Sequence, residues 1–239
     1  RGAGGARNVG IENAHGKWLL FADADDFFTE DAFETFYSQF HSDAELIYFC
    51  IDGIYLDTGE HSDRGDGYTQ LVRDFLSGKI SEMDIRLSFP SPCAKMVRHE
   101  LVKRHQIRYD EVPVNNDDYF SLLSGYYAQK IGAVNKIVYI VTVSKGSLTK
   151  RRDFNAIQSS FLVILRHNQF LRQHHLSQYQ KSVMLSFYYV RHFGIKKIFE
   201  FIKLLIKFKQ NPLIGCQRWF KTYTLYKKKQ DREKKFETY

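Results

Sequence analysis

Lys17-Trp18-Leu19-Leu20-Phe21-Ala22-Asp23-Ala24-Asp25-Asp26 is the stretch on which the reading of this 239-residue chain turns. Five apolar residues run without interruption, and three carboxylates follow within four positions. An apolar run of this length, ended abruptly by acids, predicts a strand buried on both faces of a sheet. Ligands of open α/β sheets gather beyond the carboxyl ends of the strands, where these acids fall. Asp23 and Asp25 are two apart, so an extended backbone projects them from one face. Two carboxylates on one face repel unless a cation lies between them. Mg²⁺ is held by one or two protein carboxylates together with substrate phosphates, which suits this pattern.

Three other readings compete. Acids are favoured at helix N-termini, and a helix beginning near Thr29-Glu30-Asp31 would account for Asp26 alone. A calcium loop would place Glu34 at its twelfth position counted from Asp23, but that loop needs glycine at the sixth, where Phe28 stands. An aspartate-nucleophile phosphohydrolase also has a hydrophobic strand ending in Asp-x-Asp. It would carry Thr or Val two residues after Asp25, where this chain has Phe27.

With the residues before it, the stretch resembles a known family. Ala6-Arg7-Asn8-Val9-Gly10-Ile11, then Ala14-His15-Gly16-Lys17 and the apolar run, then Asp23-Ala24-Asp25-Asp26, is similar to the central signature of family 2 glycosyltransferases with the GT-A fold. The resemblance implies an α/β protein with a Rossmann-like mixed sheet. It also implies that Asp23 and Asp25 hold Mg²⁺ or Mn²⁺ bridging the diphosphate of a nucleotide sugar, expected to be UDP-linked, with Asp23 at the donor. Family members have an earlier strand-helix-strand portion that grips the base. This sequence starts at Arg1-Gly2-Ala3-Gly4-Gly5, without Met, directly on the helix before the acids. The expectation is therefore an N-terminally truncated fragment whose sheet lacks its first nucleotide-binding strands.

Further residues extend the resemblance. Cys93-Ala94-Lys95-Met96-Val97 reads as a strand before a His99–His105 helix, and Lys95 is either a contact to a donor phosphate or a surface lysine at a strand edge. Asn115-Asn116-Asp117-Asp118-Tyr119-Phe120 reads as an Asn N-cap with acids in the first turn of an amphipathic helix. In the family a Glu-Asp-x-x-Phe stands here and its Asp is the general base, which gives that role to Asp117; Asn116 replaces the Glu, and Asp118 is one register away. Ser144-Lys145-Gly146-Ser147-Leu148-Thr149 is similar to a loop that follows the family's core.

The intervening elements follow from pattern. Arg7–Ala14 reads as a helix with Gly16 near its C-terminal cap, and Arg7 serves either a phosphate or the helix surface. Glu30–Phe40 reads as a helix with Ala32, Phe33, Phe36 and Phe40 on one side. Glu45–Ile51 reads as a buried strand, Asp52–Gly67 as turns, Gln70–Ser77 as a helix closed by Gly78, and Val138–Val143 as a strand. His61, His99 and His105 read as surface or satisfied residues.

Composition bounds the rest. Apolar residues make up 44% and aromatics 15%, enough for a sizeable core. Cys50, Cys93 and Cys216 have no paired spacing, which argues against a disulfide framework or zinc site and fits a reducing compartment. No signal peptide or apolar run of spanning length is present. From Phe154 the spacing turns helical, broken at Gly194, and the domains expected are residues 1–150 and a helical, basic region 151–239. From Arg191 onward the chain carries net charge +10 against +8 for the whole. Ile195, Ile198, Phe199, Ile202, Leu205 and Ile206 form one stripe, with Lys196, Glu200, Lys203 and Lys207 opposite. Such a helix before a polybasic tail suits an anionic membrane surface, or packs on the core with solvated lysines. Nucleic acid is not the expected partner, since no aromatic-interleaved basic motif occurs.

These readings converge on a metal-dependent inverting glycosyltransferase, cytoplasmic and peripheral on the inner face of the cell membrane. Its acceptor would be a saccharide or lipid-linked molecule in cell-surface polysaccharide synthesis. The alternatives are the aspartate-dependent phosphohydrolase and a non-catalytic fragment that binds a partner.

Overall fold

The computed structural model describes residues 2–144 and 153–215. The chain divides into two compact units, Arg1–Arg151 and Arg152–Tyr239. The first is mixed α/β. Its helices among the described residues are α1 (Gly2–Asn13), α2 (Ala32–Ser38), α3 (Asp66–Leu76), α4 (Glu82–Ser88), α5 (His99–Arg104) and α6 (Asp118–Tyr127). Its strands are β1 (Trp18–Leu19), β2 (Phe27–Phe28), β3 (Leu46–Tyr55), β4 (Lys95–Arg98) and β5 (Ile131–Val143), in the order β1-β4-β3-β5-β2.

β3 is the spine of this sheet. Its first six residues, Leu46 to Ile51, are buried without alternation, as expected of a strand covered on both faces. It pairs antiparallel with β4 and parallel with β5, so the sheet is mixed. The predicted strand Glu45–Ile51 falls here, and the ladder continues to Tyr55, through residues expected to be turns. The β3–β5 register shifts between Phe49 and Ile51, where the partner of Phe49 is Val134 but that of Cys50 is Ile137. Such bulges add local twist.

The expected central strand at Lys17–Phe21 is instead a two-residue edge strand. β1 pairs only with β4, through Trp18↔Arg98 and Leu19↔Val97. The apolar run has a different cause from a two-sided ladder. Phe21 leaves the sheet and packs edge-to-face on Tyr109 and Phe120, with ring centroids 5.2 and 5.4 Å away. α2 is also shorter than its pattern predicts. Ala32 and Phe36 are buried, whereas Phe33 and Phe40 are exposed.

Close packing places the elements that flank the acids. A Cβ on Gly4 of α1 would lie 2.0 Å from the Asp110 carbonyl oxygen, so the helix approaches residues 109–116 at a distance only glycine permits. α4, which follows a capping box between Ser81 and Asp84, packs on α6. Buried Arg86 donates from Nη1 to the carbonyls of Gly125 and Ala128, both at 2.6 Å, satisfying the end of α6. The second unit is helical: α7 (Phe154–Gln173), α8 (Met184–Val190) and α9 (Ile195–Lys207). They close on Phe161, Leu165, Val183, Val190 and Phe201, with Phe161 and Phe201 stacked at 4.3 Å. Gly194, at φ 90°, makes the break before α9 that its position predicts.

The α4–α6 contact carries a test. A Cβ at Gly125 would meet the Arg86 carbonyl oxygen at 2.3 Å. Backbone against backbone cannot yield by rotamer change, so Gly125→Ala should destabilise the protein by about 1–3 kcal/mol. Urea denaturation reads this directly, and an unchanged midpoint would contradict the packing described.

Candidate active site

The acids sit in a tight turn that β5 holds from below. Asp26 N–H donates to the Asp23 carbonyl at 3.2 Å, closing the turn. The Asp23 N–H donates to Tyr139 Oη at 2.8 Å. Thr142 binds twice: its N–H donates to Asp26 Oδ1 at 2.8 Å, and its hydroxyl donates to the Asp25 carbonyl at 2.7 Å. β2 then pairs with β5 through Phe27↔Ile140 and Phe28↔Tyr139. These ties orient the Asp23 and Asp26 ends of the turn separately. Asp26 is half-buried, and burial raises its pKa above the ordinary carboxylate value despite the Thr142 bond.

Two adjacent residues of α1 join this turn to the other side of the site. Arg7 Nη2 forms an ion pair with Asp23 Oδ1, and its Nη1 donates to Asn116 Oδ1 at 2.7 Å. The guanidinium lies over the Tyr109 ring, 5.3 Å from its centroid. Asn8 makes two backbone bonds with Tyr109: its Nδ2 donates to the carbonyl at 3.0 Å, and its Oδ1 accepts from the N–H at 2.9 Å. The Arg-Asn pair is therefore a clamp between the acidic turn and residues 109–116. Arg7 is neither free in the cleft nor spread on the helix surface.

Asp117 arrives at the same cleft from the far end of that segment. Asn115 takes a positive φ of 55°, and the Asn116 carbonyl accepts from Asp110 N–H at 3.1 Å. The N-cap is Asp117, one or two residues later than an Asn cap would place it, and its carboxylate forms no capping bond. Asp118 is buried at the first helical position. Asp23, Asp25, Asp26 and Asp117 line one cleft, with Arg64, Tyr68, Ser91, Pro92, Cys93, Tyr139, Val141 and Thr142 completing it. Burial raises the Asp117 pKa, and Asp118 adds to the rise, while Arg7 and Lys95 oppose it.

Lys95 occupies a different place from both sequence readings. It lies at the start of β4, which has β1 on one side and β3 on the other, and it is 1% exposed. Its Nζ donates to the Phe89 carbonyl at 2.6 Å and lies over the rings of Phe89 and Tyr48. It is not among the residues lining the cleft. Desolvation pulls its pKa down to about 7, opposed by Asp117, Cys93 and Asp118. It supports the cleft wall at residues 89–93 from behind.

The donor set suits a hard cation. Asp23, Asp25 and Asp26 offer carboxylate oxygens, and Asp25 is exposed. The one sulfur in the lining is Cys93, whose pKa burial pushes up to about 12. Oxygen ligands fit Mg²⁺ or Mn²⁺. Elsewhere, His61 lies between Asp52 (Nδ1 to Oδ1, 2.9 Å) and Asp66 (Nε2 to Oδ1, 3.3 Å), and the ligand atoms of these three residues are close enough together to hold a metal ion. His99 Nδ1 lies 3.0 Å from the Gly16 carbonyl oxygen. The expected Gly-Ser-Leu-Thr loop at 146–149 lies outside the described residues.

The mixed α/β sheet that carries this acidic turn resembles the GT-A fold. Residues 1–106 match the sequence model described as Glycosyl transferase family 2. The chain is 23% identical over 189 residues to a Bacillus subtilis protein named as a glycosyltransferase, EpsH, covering 77% of this chain and 54% of that one. It is 27% identical over 162 residues to the glycosyltransferase GlyA of Streptococcus pneumoniae, covering 62% of this chain and 22% of that one. Staphylococcus aureus TarS, a poly(ribitol-phosphate) β-N-acetylglucosaminyltransferase, is 24% identical over 221 residues, 88% of this chain and 35% of its own. The crystal structure of TarS residues 1–349 in complex with UDP-GlcNAc superposes with a TM-score of 0.59 at 18% identity, covering 75% of this chain and 51% of that one. The chain thus spans from about a fifth to about half the length of these curated relatives.

Asn8, Tyr139 and Thr142 are among the residues of the site that sequence reasoning did not pick out, as are Arg64, Tyr68, Ser91 and Pro92 in the lining. Asn8 is 5% exposed, and removing its amide would orphan two buried backbone groups of Tyr109. Each such group costs about 1–3 kcal/mol, so Asn8→Ala should lower stability by several kcal/mol in thermal or urea unfolding. A loss below about 1 kcal/mol would show that water replaces the clamp.

Proposed function

We propose that the protein carrying this chain is an inverting, metal-dependent glycosyltransferase that moves a sugar from a nucleoside-diphosphate donor, UDP-linked, to a saccharide or lipid-linked acceptor in surface-polysaccharide synthesis. The observation that supports it most is the convergence of Asp23, Asp25 and Asp117, from segments about ninety residues apart, on one cleft. The relatives named above act as glycosyltransferases, and the structure of one contains UDP-GlcNAc. The same proposal places the protein on the inner face of the cell membrane, supported by its basic C-terminal region.

Asp23 and Asp25 would hold Mg²⁺ or Mn²⁺, which supplies positive charge for the departing diphosphate. Arg7 fixes the Asp23 carboxylate, and Thr142 fixes the Asp25 backbone, with the Asp25 side chain exposed. Asp117 takes the proton from the acceptor hydroxyl as that oxygen attacks the anomeric carbon. The new bond forms on the face opposite the breaking bond to the diphosphate oxygen. The nucleoside diphosphate leaves with that electron pair, and the anomeric centre inverts. Asp117 rather than Asp118 serves, because Asp117 lines the cleft while Asp118 is buried beside it.

Asp25→Ala should remove Mn²⁺-dependent UDP binding in calorimetry, with unfolding little changed because the side chain is exposed. Undiminished Mn²⁺-dependent binding in that variant would overturn the metal assignment.

Asp117→Asn should lower kcat by about 10²-fold or more and leave UDP affinity nearly unchanged, since a base acts in the transition state. The raised pKa gives this a pH signature. The base works deprotonated, so activity should fall as pH drops through a value above the ordinary aspartate range. The folded state also favours protonated Asp117, so the stability cost of its charge is full above the folded pKa and is relieved as pH falls. The Asn variant should accordingly be as stable as the wild type or more so at neutral pH, with the difference shrinking towards acid. If Asp118→Asn shows the kinetic loss and Asp117→Asn does not, the base is the other residue.

A further inference from the structure

α9 carries two apolar faces, and only one of them is used. Phe201 and Leu205 are buried in the core of the second unit, with Ile198 and Leu204 packed against it. Ile195, Phe199, Ile202 and Ile206 form a separate row at spacings of four, three and four, and they are 63%, 55%, 37% and 72% exposed. One face of the helix thus packs in the core of the second unit, and the other is left exposed. Four large apolar side chains in a continuous exposed row are more than scattered surface hydrophobics.

What borders the row says what it meets. At about 100° per residue, Lys196, Lys203 and Lys207 fall together along one flank of it, and all three are exposed. Glu200, the one acid of the helix, lies beyond those lysines and is paired with Lys197 at 2.9 Å. The exposed side is therefore apolar along its centre and cationic along its edge, with no acid facing the partner. No helix among the described residues is long and apolar enough to cross a bilayer. An apolar row with a lysine border on a helix of 13 residues fits one that lies in the plane of an interface. The sequence from Arg218 to Lys235 adds eight basic residues.

We propose that the row Ile195, Phe199, Ile202 and Ile206 with the border Lys196, Lys203 and Lys207 docks on an anionic lipid bilayer. The apolar side chains enter the acyl boundary, and the ammonium groups meet lipid phosphates. This names the surface behind the peripheral position proposed above. It does not require the sugar-transfer reading, because the surface needs neither nucleotide nor metal.

The experiment is sedimentation with vesicles of phosphatidylcholine alone and of phosphatidylcholine mixed with phosphatidylglycerol, at low and high salt. The wild type should bind the anionic vesicles and release as salt rises, since these charges are screened within about 8 Å at physiological ionic strength. Lys196→Gln, Lys203→Gln and Lys207→Gln together should weaken binding on the order of a hundredfold, at about 1 kcal/mol per basic residue. Phe199→Ser with Ile206→Ser should abolish it while leaving the helical circular dichroism intact, because both side chains are exposed. Asp25→Ala should bind vesicles like the wild type, which separates this result from the chemistry of the cleft. Equal binding to neutral and anionic vesicles, binding unaffected by the serine pair, or a self-association lost in the serine pair without any vesicle binding would each overturn the proposal.

Discussion

Arg7 and Asn8 are consecutive on α1, and between them they decide the shape of the site. Arg7 has two arms and uses both, one on Asp23 and one on Asn116. A lysine at this position would supply charge without the fork and could not hold both partners in one plane. Asn8 turns to the opposite side and binds the backbone of Tyr109 as a third strand residue would. Without this clamp the acidic turn and the segment leading to Asp117 would be two loops on separate supports. With it they form one rim, with Asp23 at one end and Asp117 at the other.

The opposite support is β5. Its residues near the C-terminal end are not uniformly apolar: Tyr139 meets Asp23, and Thr142 meets Asp25 and Asp26. Tyr139 is a buried ring whose hydroxyl finds a backbone partner, the usual requirement for tyrosine in a core. The cluster of acids is thus tolerable by construction. Backbone groups of the turn and one carboxylate are satisfied by β5, another carboxylate by Arg7, and Asp25 is left open to solvent.

The legible parts of this arrangement were local ones. An Asp-x-Asp after an apolar run, a helix start at 117–118, a break at Gly194 and a strand at 46–51 are each decided within a few residues. Partners such as Asn8 with Tyr109, or Asp23 with Tyr139, lie more than a hundred positions apart, and no periodicity relates them. The over-long central strand expected at Lys17–Phe21 shows a second limit. Burial on both faces follows equally from a ladder or from aromatic packing beneath a loop, and Phe21 chose the latter. α4 was legible but passed over, since Ser81 and Asp84 have the spacing of a capping box. Lys95 was not legible, because its charge suggests a surface and only the fold shows it paired with Tyr48 of β3 and buried against the Phe89 ring.

That lysine has a consequence for how the protein can change. Its ammonium rests on one carbonyl and two ring faces, in a place where a neutral side chain would be easier to accommodate. Because its pKa is lowered to about 7, its burden on folding is greatest below that value and fades as pH rises towards the ordinary lysine range. A methionine would fill nearly the same volume without this burden, so selection for robustness alone would discard the lysine. Its removal would also release the strap at Phe89 that backs Ser91, Pro92 and Cys93. Lineages adapting to acid surroundings would meet this conflict first, between a sturdier core and an unaltered cleft wall.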